Sequence, residues 1–327
     1  MENEIRQRIG ALWSGLGSEI GKENVAIIQE AMKKLFREDP LRILVVGGSG
    51  SGKSSTIRAL LRANNPQEEK NMPEIGEGAK PMTMDIEEFK INDNLIIYDS
   101  PGLGDGQKDE QHKRKIQNLL QEKNDKGNAL IDLALVLIDI TSRDLGGTLS
   151  TIKAVGEVMS PDDRQKRILI ALNKCDKSND PDARMNYDKE PPEPNDELQE
   201  EIEKRKNEFK KRIKQETGID TEVVCYSAGF YNEKKNKDYP SYNIDELFTY
   251  IRKDLPARKV VILNQNANER VYKGKSGAQN ESSFWDSLVE TIKNVAADVA
   301  EMLGEVVLKK GVKFISSFFG KFFKWIV

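Results

Sequence analysis

The stretch at residues 47–54 restricts what this chain can fold into more than any other feature of its sequence. It reads GGSGSGKS and fits the pattern G-x-x-x-x-G-K-[ST], between a β-rich run at residues 41–46 and a predicted helix. Glycines let backbone N–H groups turn inward around phosphate oxygens, and the following helix directs its positive N-terminus at them. The pattern predicts a strand, a phosphate-binding loop and a helix. The alternative is a Gly/Ser-rich turn that binds nothing.

Strand and helix patterns alternate through the middle of the chain. Continuous apolar runs, rich in β-branched residues, occur at residues 95–98, 133–138, 168–172 and 223–226. Such runs are typical of strands buried on both faces of a parallel sheet, and helical patterns separate them, so we predict an α/β fold with crossover helices. Residues 86–91 alternate instead and join the next run through a short polar turn. This predicts a hairpin with one antiparallel strand at the sheet edge.

The ends of the chain differ from its middle. We expect an N-terminal helical segment at residues 1–40, an α/β domain at 41–258, a polar linker at 259–283 and an amphipathic C-terminal helical region at 284–327. Asp39-Pro40 ends the first part, because a residue before proline avoids the helical conformation. The linker is predicted from its content of Asn, Gly and Ser.

Composition narrows the classes of function. The chain has 51 Lys and Arg against 54 Asp and Glu, a net charge of -3, which argues against a broad nucleic-acid surface, and we expect no specific DNA partner. Cys175 and Cys225 give no disulfide framework, and the single histidine, His112, argues against a multi-His metal site. We expect His112 on a solvated helix face. With no signal-peptide core and no run of 18 apolar residues, the expected compartment is the cytosol.

The phosphate loop supplies the first candidate ligands. Lys53 would contact the β- and γ-phosphates of a nucleotide, and the Ser54 hydroxyl would bind Mg²⁺. The predicted phosphate-binding residues are Gly47, Ser49, Gly50, Ser51, Gly52, Lys53, Ser54 and Ser55.

Two further elements fit the same chemistry. Asp99-Ser100-Pro101-Gly102 follows an apolar run, where Asp99 can hold Mg²⁺ through water and the Gly102 N–H can sense the γ-phosphate. Thr83 lies in a long polar stretch before the edge strand and is the candidate to close over Mg²⁺ and the γ-phosphate. We predict catalytic roles for Lys53, Thr83 and Gly102, and metal binding by Ser54, Thr83 and Asp99. The alternatives are a plain turn at D-x-x-G and an ordinary loop threonine.

Base recognition is predicted after two later strands. Asn173-Lys174-Cys175-Asp176 follows the run that ends at residue 172, and Asp176 can accept from N1–H and the exocyclic amine of guanine together. Adenine has no such pair of donors, so Asp176 would select GTP over ATP. Asn173 would brace the loop, and the Lys174 stem would cover the base. Ser227 and Ala228 end the next strand, where the Ala228 N–H can meet guanine O6. Alone, N-K-x-D is a common polar turn.

Together these motifs give the chain a resemblance to the TRAFAC class of P-loop GTPases, and within it to the Era-like group. The stretches 77–86 and 99–106 look like a bacterial branch that is often called 50S-ribosome-binding GTPase. The resemblance covers residues 41–256. It implies a P-loop NTPase fold with a mostly parallel six-stranded sheet, binding of GTP or GDP with Mg²⁺, and slow GTP hydrolysis.

One position departs from the pattern of small Ras-like GTPases. They carry a water-orienting glutamine directly after D-x-x-G, whereas this chain has Leu103. Without that glutamine, the attacking water must be positioned in another way, and three hypotheses remain. It could be positioned by a nearby polar residue such as Asp105, by a monovalent cation held by the phosphate loop, or by a second copy across a homodimer of G domains. Intrinsic hydrolysis should therefore be slow.

The C-terminal region carries two helical patterns. The first is an apolar seam with alternating steps of 3 and 4, formed by Trp285, Leu288, Ile292, Val295, Val299, Met302 and Val306. The last 19 residues contain five lysines and no acidic residue, opposite a Phe-rich face. This pattern suits an anionic membrane surface. The alternative is a helical subdomain with residues 1–38, or docking on a protein or ribosomal partner. We expect a cytoplasmic switch, either peripheral to the membrane or soluble.

Overall fold

The computed structural model describes residues 2–63, 66–73, 86–100, 109–142, 146–176, 184–232, 235–299, 303–304, 306–307, 309–315 and 317. The chain divides into two compact units. The helical unit comprises residues 1–40, 256–265 and 281–327, and the sheet unit comprises residues 41–255 and 266–280.

A six-stranded sheet forms the centre of the sheet unit. The strands of this unit are β1 (Leu41–Gly47), β2 (Glu87–Asn92), β3 (Leu95–Asp99), β4 (Leu133–Asp139), β5 (Ile168–Asn173), β6 (Met185–Asn186), β7 (Glu193–Pro194), β8 (Val223–Cys225), β9 (Phe230–Asn232) and β10 (Lys237–Tyr239). The sheet order is β2-β3-β1-β4-β5-β8, parallel except for β2, which runs antiparallel to β3 at the edge. β6 pairs with β7 and β9 with β10 in two small hairpins. The predicted fold class, with one antiparallel edge strand, is confirmed.

The helices are α1 (Glu2–Ile20), α2 (Lys22–Glu38), α3 (Lys53–Leu60), α4 (Pro66–Asn71), α5 (Asp109–Gln121), α6 (Gly146–Glu157), α7 (Pro161–Arg167), α8 (Asp196–Thr217), α9 (Ile244–Arg252), α10 (Ala257–Gln265) and α11 (Gly277–Asp298), with a 3-10 helix at Glu269–Tyr272. Local signals set the ends of α8. The Asn195 side chain accepts from the Leu198 N–H at 2.8 Å, and Gly218 closes the helix in the left-handed region.

One face of the sheet packs on α5, α6 and α8. Buried side chains from alternate strand positions, among them Val136, Ile138, Ile170 and Leu172, join apolar residues of these helices in one cluster. Successive residues of a strand face opposite sides of the sheet, so the buried residues between these positions face the opposite side of the sheet. The carboxyl ends of the parallel strands meet at one edge, and the polar motifs follow there.

The helical unit buries the apolar faces of α1, α2, α10 and most of α11. Leu12 and Leu16 of α1 and Trp285 of α11 are buried, and Arg8 forms an ion pair of 2.6 Å with Glu281. Residues 309–315 are helical and lie close to α1, since a Cβ atom added at Gly15 would sit 2.4 Å from Cζ of Phe314. Among the described helices, none combines the length and apolarity needed to cross a membrane.

The predicted linker at residues 259–283 is helical instead. It forms most of α10, the 3-10 helix and the first turns of α11. Its polar residues mislead because several are buried and hydrogen-bonded: the fully buried Asn280 donates to the carbonyls of Asp245 at 3.0 Å and Val271 at 2.8 Å. A prediction from composition treats such asparagines as solvated. Here the Asn280 side chain instead joins neighbouring segments through hydrogen bonds.

His112 also differs from its prediction. It is 4% exposed rather than solvated. It lies one helical turn before Ile116 and two before Leu120, on the buried face of α5. Among the described residues its Nδ1 has no hydrogen-bond partner. Of the neighbouring charged residues, Glu110 and Arg114 are exposed and Lys113 is half-buried.

A buried ion cluster ties α2 to α10. Asp39 Oδ1 accepts from Lys259 Nζ at 2.7 Å, and Oδ2 accepts from Arg258 at 2.6 Å. Lys259 Nζ also donates to the carbonyl of Pro40 at 2.6 Å. Burial alone would raise the pKa of Asp39, but the charges and hydrogen bonds of Lys259 and Arg258 outweigh it and hold that pKa below its ordinary value.

Candidate nucleotide-binding site

A cavity of about 480 Å³ opens at the carboxyl edge of the sheet. Most of the predicted site residues line it: Gly50, Ser51, Gly52, Lys53, Ser54, Ser55, Asp99, Asn173, Lys174, Asp176, Ser227 and Ala228. Gly47, the last residue of β1, and Ser49 of the loop do not line the cavity. Thr83 and Gly102 lie outside the described residues, so their roles stay predictions.

The phosphate loop has the backbone shape that its glycines predict. Gly50 and Gly52 have φ angles of +72° and +90°, in the left-handed region. A Cβ at Gly52 would lie 2.2 Å from Nδ2 of Asn173, so the loop has no space for a side chain there. That amide donates to the carbonyl of Ser51 at 2.8 Å. The loop is therefore held from the base-recognition side of the site.

Lys53 and Asp99 meet at the phosphate end of the cavity. Lys53 Nζ lies 3.3 Å from the carbonyl of Gly47 and 3.8 Å from Asp99 Oδ1. Burial raises the pKa of Asp99 to about 6, with Lys53 opposing that rise and Glu87 adding to it. Within the described residues, Asp99 Oδ1 and Ser51 Oγ are buried without a hydrogen-bond partner. Buried oxygens of this kind, beside the Ser54 hydroxyl, fit a divalent cation and phosphate groups.

Asn173 connects three loops at the base-recognition end. Its Nδ2 holds the Ser51 carbonyl, and its Oδ1 accepts from the backbone N–H groups of Lys174 at 2.8 Å and Ala228 at 3.0 Å. In the predicted complex the Ala228 N–H would donate to guanine O6. It would then either donate to Asn173 Oδ1 as well or give up that hydrogen bond.

Lys174 lines the base-recognition end of the cavity. Its Nζ pairs with Asp139 Oδ2 at 2.6 Å and also donates to the carbonyl of Gly50. Asp139 ends β4 beside Asn173 in the sheet register, and its Oδ1 accepts from Thr141. Burial opposes ionisation of Asp139, but the bonds from Lys174 and Thr141 hold its pKa below the ordinary value. The lysine stem is thereby fixed along the wall of the cavity.

Sequence reasoning missed three residues around this site. Asp139 supports Lys174, Tyr187 donates from its hydroxyl to Asp176 Oδ2 at 3.2 Å, and Phe230 lines the cavity. A signal existed only for Asp139, which directly follows the predicted strand at residues 133–138, at the edge where the motifs collect. Tyr187 and Phe230 lie on hairpins outside the main sheet, and no motif marks them.

Residues 42–174 match the protein family described as "50S ribosome-binding GTPase". Among curated proteins, septin-9 of Mus musculus and septin-9 of Homo sapiens are each 33% identical to this chain over 104 residues. The aligned part is 30% of this chain and 17% of septin-9, so the chain spans about a sixth of the length of these relatives.

Solved structures show weaker similarity. A probable GTP-binding protein engB has 19% identity and a TM-score of 0.37, over 69% of this chain and 100% of that chain. Toc33 from Arabidopsis thaliana in complex with GDP and Mg²⁺ has 18% identity and a TM-score of 0.40, over 78% of this chain and 98% of that chain. Similarity at this level indicates nothing about substrates.

The family match over residues 42–174 supports the resemblance to P-loop GTPases of the TRAFAC class.

Proposed function

We propose that this chain is a GTP-binding molecular switch of the Era-like group, with slow, Mg²⁺-dependent GTP hydrolysis and a nucleotide state coupled to its C-terminal amphipathic region. The supporting observation is the convergence of four separate motifs on one cavity: the phosphate loop, Asp99, the segment 173–176 and the segment 227–228. Each lies at or just after the end of a different strand, and each supplies the chemistry that one part of a guanine nucleotide requires.

The phosphate end would hold the triphosphate and its cation. Lys53 and the inward N–H groups of the loop would neutralise the β- and γ-phosphates, and Ser54 with Asp99 would hold Mg²⁺. The unpartnered Asp99 Oδ1 supports a cation there, because a buried carboxylate oxygen needs a partner and a bound cation would stabilise the ionised carboxylate. Mg²⁺ would offset the charge that develops on the phosphate oxygens during hydrolysis.

The base end would select guanine. The carboxylate of Asp176 is 1% exposed and accepts from adjacent donors, which guanine offers at N1 and its 2-amino group. Adenine would leave this buried carboxylate without matching donors, at a cost that discriminates strongly. Lys174, held by Asp139, would cover one face of the base.

Competition binding on the full chain with Mg²⁺ tests this assignment. We expect GDP to bind at least about 100-fold more tightly than ADP, since the unmatched donors and acceptors of adenine would remain buried. D176N should shift the preference towards xanthine nucleotides, because an amide can donate to the 2-keto group of xanthine. Unchanged GDP binding by D176N would overturn the guanine pocket.

Slow hydrolysis follows from Leu103, which lies outside the described residues. The three hypotheses for positioning the attacking water remain those given by the sequence. A homodimer of G domains is tested by light scattering with GDP and with a non-hydrolysable GTP analogue. A mass that doubles only with the analogue, together with a turnover that rises with protein concentration, supports the dimer. A concentration-independent turnover near the 10 per second of ordinary enzymes contradicts slow intrinsic hydrolysis.

Two observations bear on the tail. Exposed Lys309, Lys310 and Lys313, next to the exposed side chains of Val306 and Val312, favour a peripheral contact with an anionic membrane surface. The buried side chain of Ile315, with Phe314 close to α1, favours the second candidate, a soluble regulatory GTPase whose tail packs on or docks to protein. In either case we propose a cytoplasmic location.

Vesicle flotation separates these two candidates without disturbing the buried part of the tail. The variant K309Q/K310Q/K313Q removes three exposed charges, and K204Q/K210Q/K211Q on α8 removes the same charge elsewhere. We expect the full chain to float with vesicles containing phosphatidylserine, and the tail variant to lose roughly 3 kcal/mol of binding. The α8 variant should float like the parent chain. A parent chain that stays unbound with both GTP and GDP rejects membrane contact.

A further inference from the structure

Tyr187 makes a hydrogen bond to the residue that would select guanine. It directly follows β6, and its hydroxyl donates to Asp176 Oδ2 at 3.2 Å. The Asp176 side chain is almost completely buried. A buried carboxylate is stabilised by donors, and each donor also restricts the rotation of its plane.

The ring of Tyr187 is fixed by an aromatic cluster on the β9–β10 hairpin. It packs edge-on against Tyr239, with centroids 4.8 Å apart and planes at 76°. Tyr239 in turn stacks on Phe230, with centroids 4.5 Å apart and planes at 7°. Lys237 Nζ lies 4.9 Å from the Tyr239 centroid and 5.9 Å from that of Tyr187. Packing thus sets the position of the hydroxyl independently of Asp176.

We propose that Tyr187 is a positioning residue for guanine recognition, which orients the Asp176 carboxylate towards both donors of the base. This inference rests on the proposed function. A carboxylate oxygen has two lone pairs, so Oδ2 can accept from Tyr187 and from a ligand at once. The N1–H and 2-amino group of guanine form a planar pair of donors, and a carboxylate accepts from both only when its plane is aligned with them.

The proposal predicts that the Tyr187 hydroxyl matters most for a base that carries both the N1–H and the 2-amino group. Hypoxanthine, the base of IDP, keeps the N1–H and lacks the 2-amino group. A single hydrogen bond tolerates rotation of the carboxylate better than a pair does. Loss of the Tyr187 hydroxyl should therefore weaken GDP more than IDP, whereas a general loss of packing would weaken both to the same extent.

The experiment measures dissociation constants for GDP, IDP and ADP on the full chain with Mg²⁺, by calorimetric titration. Y187F keeps the ring and its packing and removes only the hydroxyl. We expect GDP affinity to fall about tenfold and IDP affinity less than about threefold, as for loss of one hydrogen bond to a charged group. Y231F is the matched control, because Tyr231 is an exposed tyrosine on β9 whose hydroxyl contacts Asn236; its affinities should not change.

A second background makes the test independent of folding. In D176A the tyrosine has no carboxylate to orient, so adding Y187F should cause no further loss of GDP affinity. An unchanged ratio of GDP to IDP affinity in Y187F, or the same loss in the D176A background, overturns the role of Tyr187. If the parent chain itself binds GDP and ADP equally, the proposed function fails instead, and the two failures are thereby distinguished.

Discussion

The nucleotide cavity and the helical unit bury charged groups in different ways. In the helical unit both oxygens of Asp39 are engaged, by Lys259 and by Arg258. In the cavity Asp99 Oδ1 is buried with no hydrogen-bond partner among the described residues, and its closest cation, Lys53, is 3.8 Å away. Removing a partner from a completely paired buried acid destabilises a structure, whereas an incompletely paired buried acid indicates a place for a ligand. The difference separates residues that hold the fold from residues that we propose hold the nucleotide.

The largest effect is expected from a substitution that breaks the buried ion cluster of Asp39, Arg258 and Lys259. D39N leaves the buried Lys259 without its counter-charge, which should lower the free energy of unfolding by about 3 kcal/mol. Urea titration followed by tryptophan fluorescence measures this loss. E30Q is the control, because Glu30 pairs with Lys33 on the exposed side of α2 and its removal should change nothing measurable. A D39N chain as stable as its parent would mean that the cluster contributes nothing to the fold.

The next effect concerns the cavity. K53A should weaken GDP binding by about 100-fold, because it removes a charge-assisted contact to phosphate. The free energy of unfolding should change far less in K53A than in D39N. Lys53 Nζ is held only weakly by the protein, because its distances to the Gly47 carbonyl and Asp99 Oδ1 are long, 3.3 and 3.8 Å. K90A is the control, as Lys90 is an exposed lysine of β2 paired with Asp93. Equal GDP affinity in K53A and its parent would show that Lys53 does not contribute to GDP binding.

The same contrast explains what the sequence could predict. Lys53, Asp99 and Asp176 line one cavity because each lies at or shortly after the end of a strand, and parallel strands bring their carboxyl ends to one edge. Tyr187 was not predicted, since its role depends on the packing of two hairpins that are distant along the chain from the strand ends. Periodicity places a residue on a helix face without identifying what covers that face, which is why the burial of His112 was missed.

Polar residues were the main source of error in the helical parts. The segment 259–283 contains asparagines that composition assigns to a solvated linker, yet Asn280 is fully buried and bonded to two carbonyls. Such bonds arise from tertiary contacts that a single sequence does not record. The amphipathic pattern of the tail predicted a helix correctly at residues 309–315.

The smallest expected effect is a pH dependence that belongs to the paired cluster. Since the pKa of Asp39 is lowered in the folded state, the unfolded chain takes up a proton first as the pH falls. The stabilisation by Asp39 is therefore complete well above the ordinary aspartate pKa of about 3.9 and is lost as the pH falls towards the folded-state value. Urea titrations of the parent chain and D39N at several pH values measure it. Their difference in unfolding free energy should stay constant from about pH 7 to pH 5 and shrink below about pH 4. A difference that instead grows on acidification would show that Asp39 carries a raised pKa, and with it that the Lys259 and Arg258 contacts do not outweigh the cost of burial.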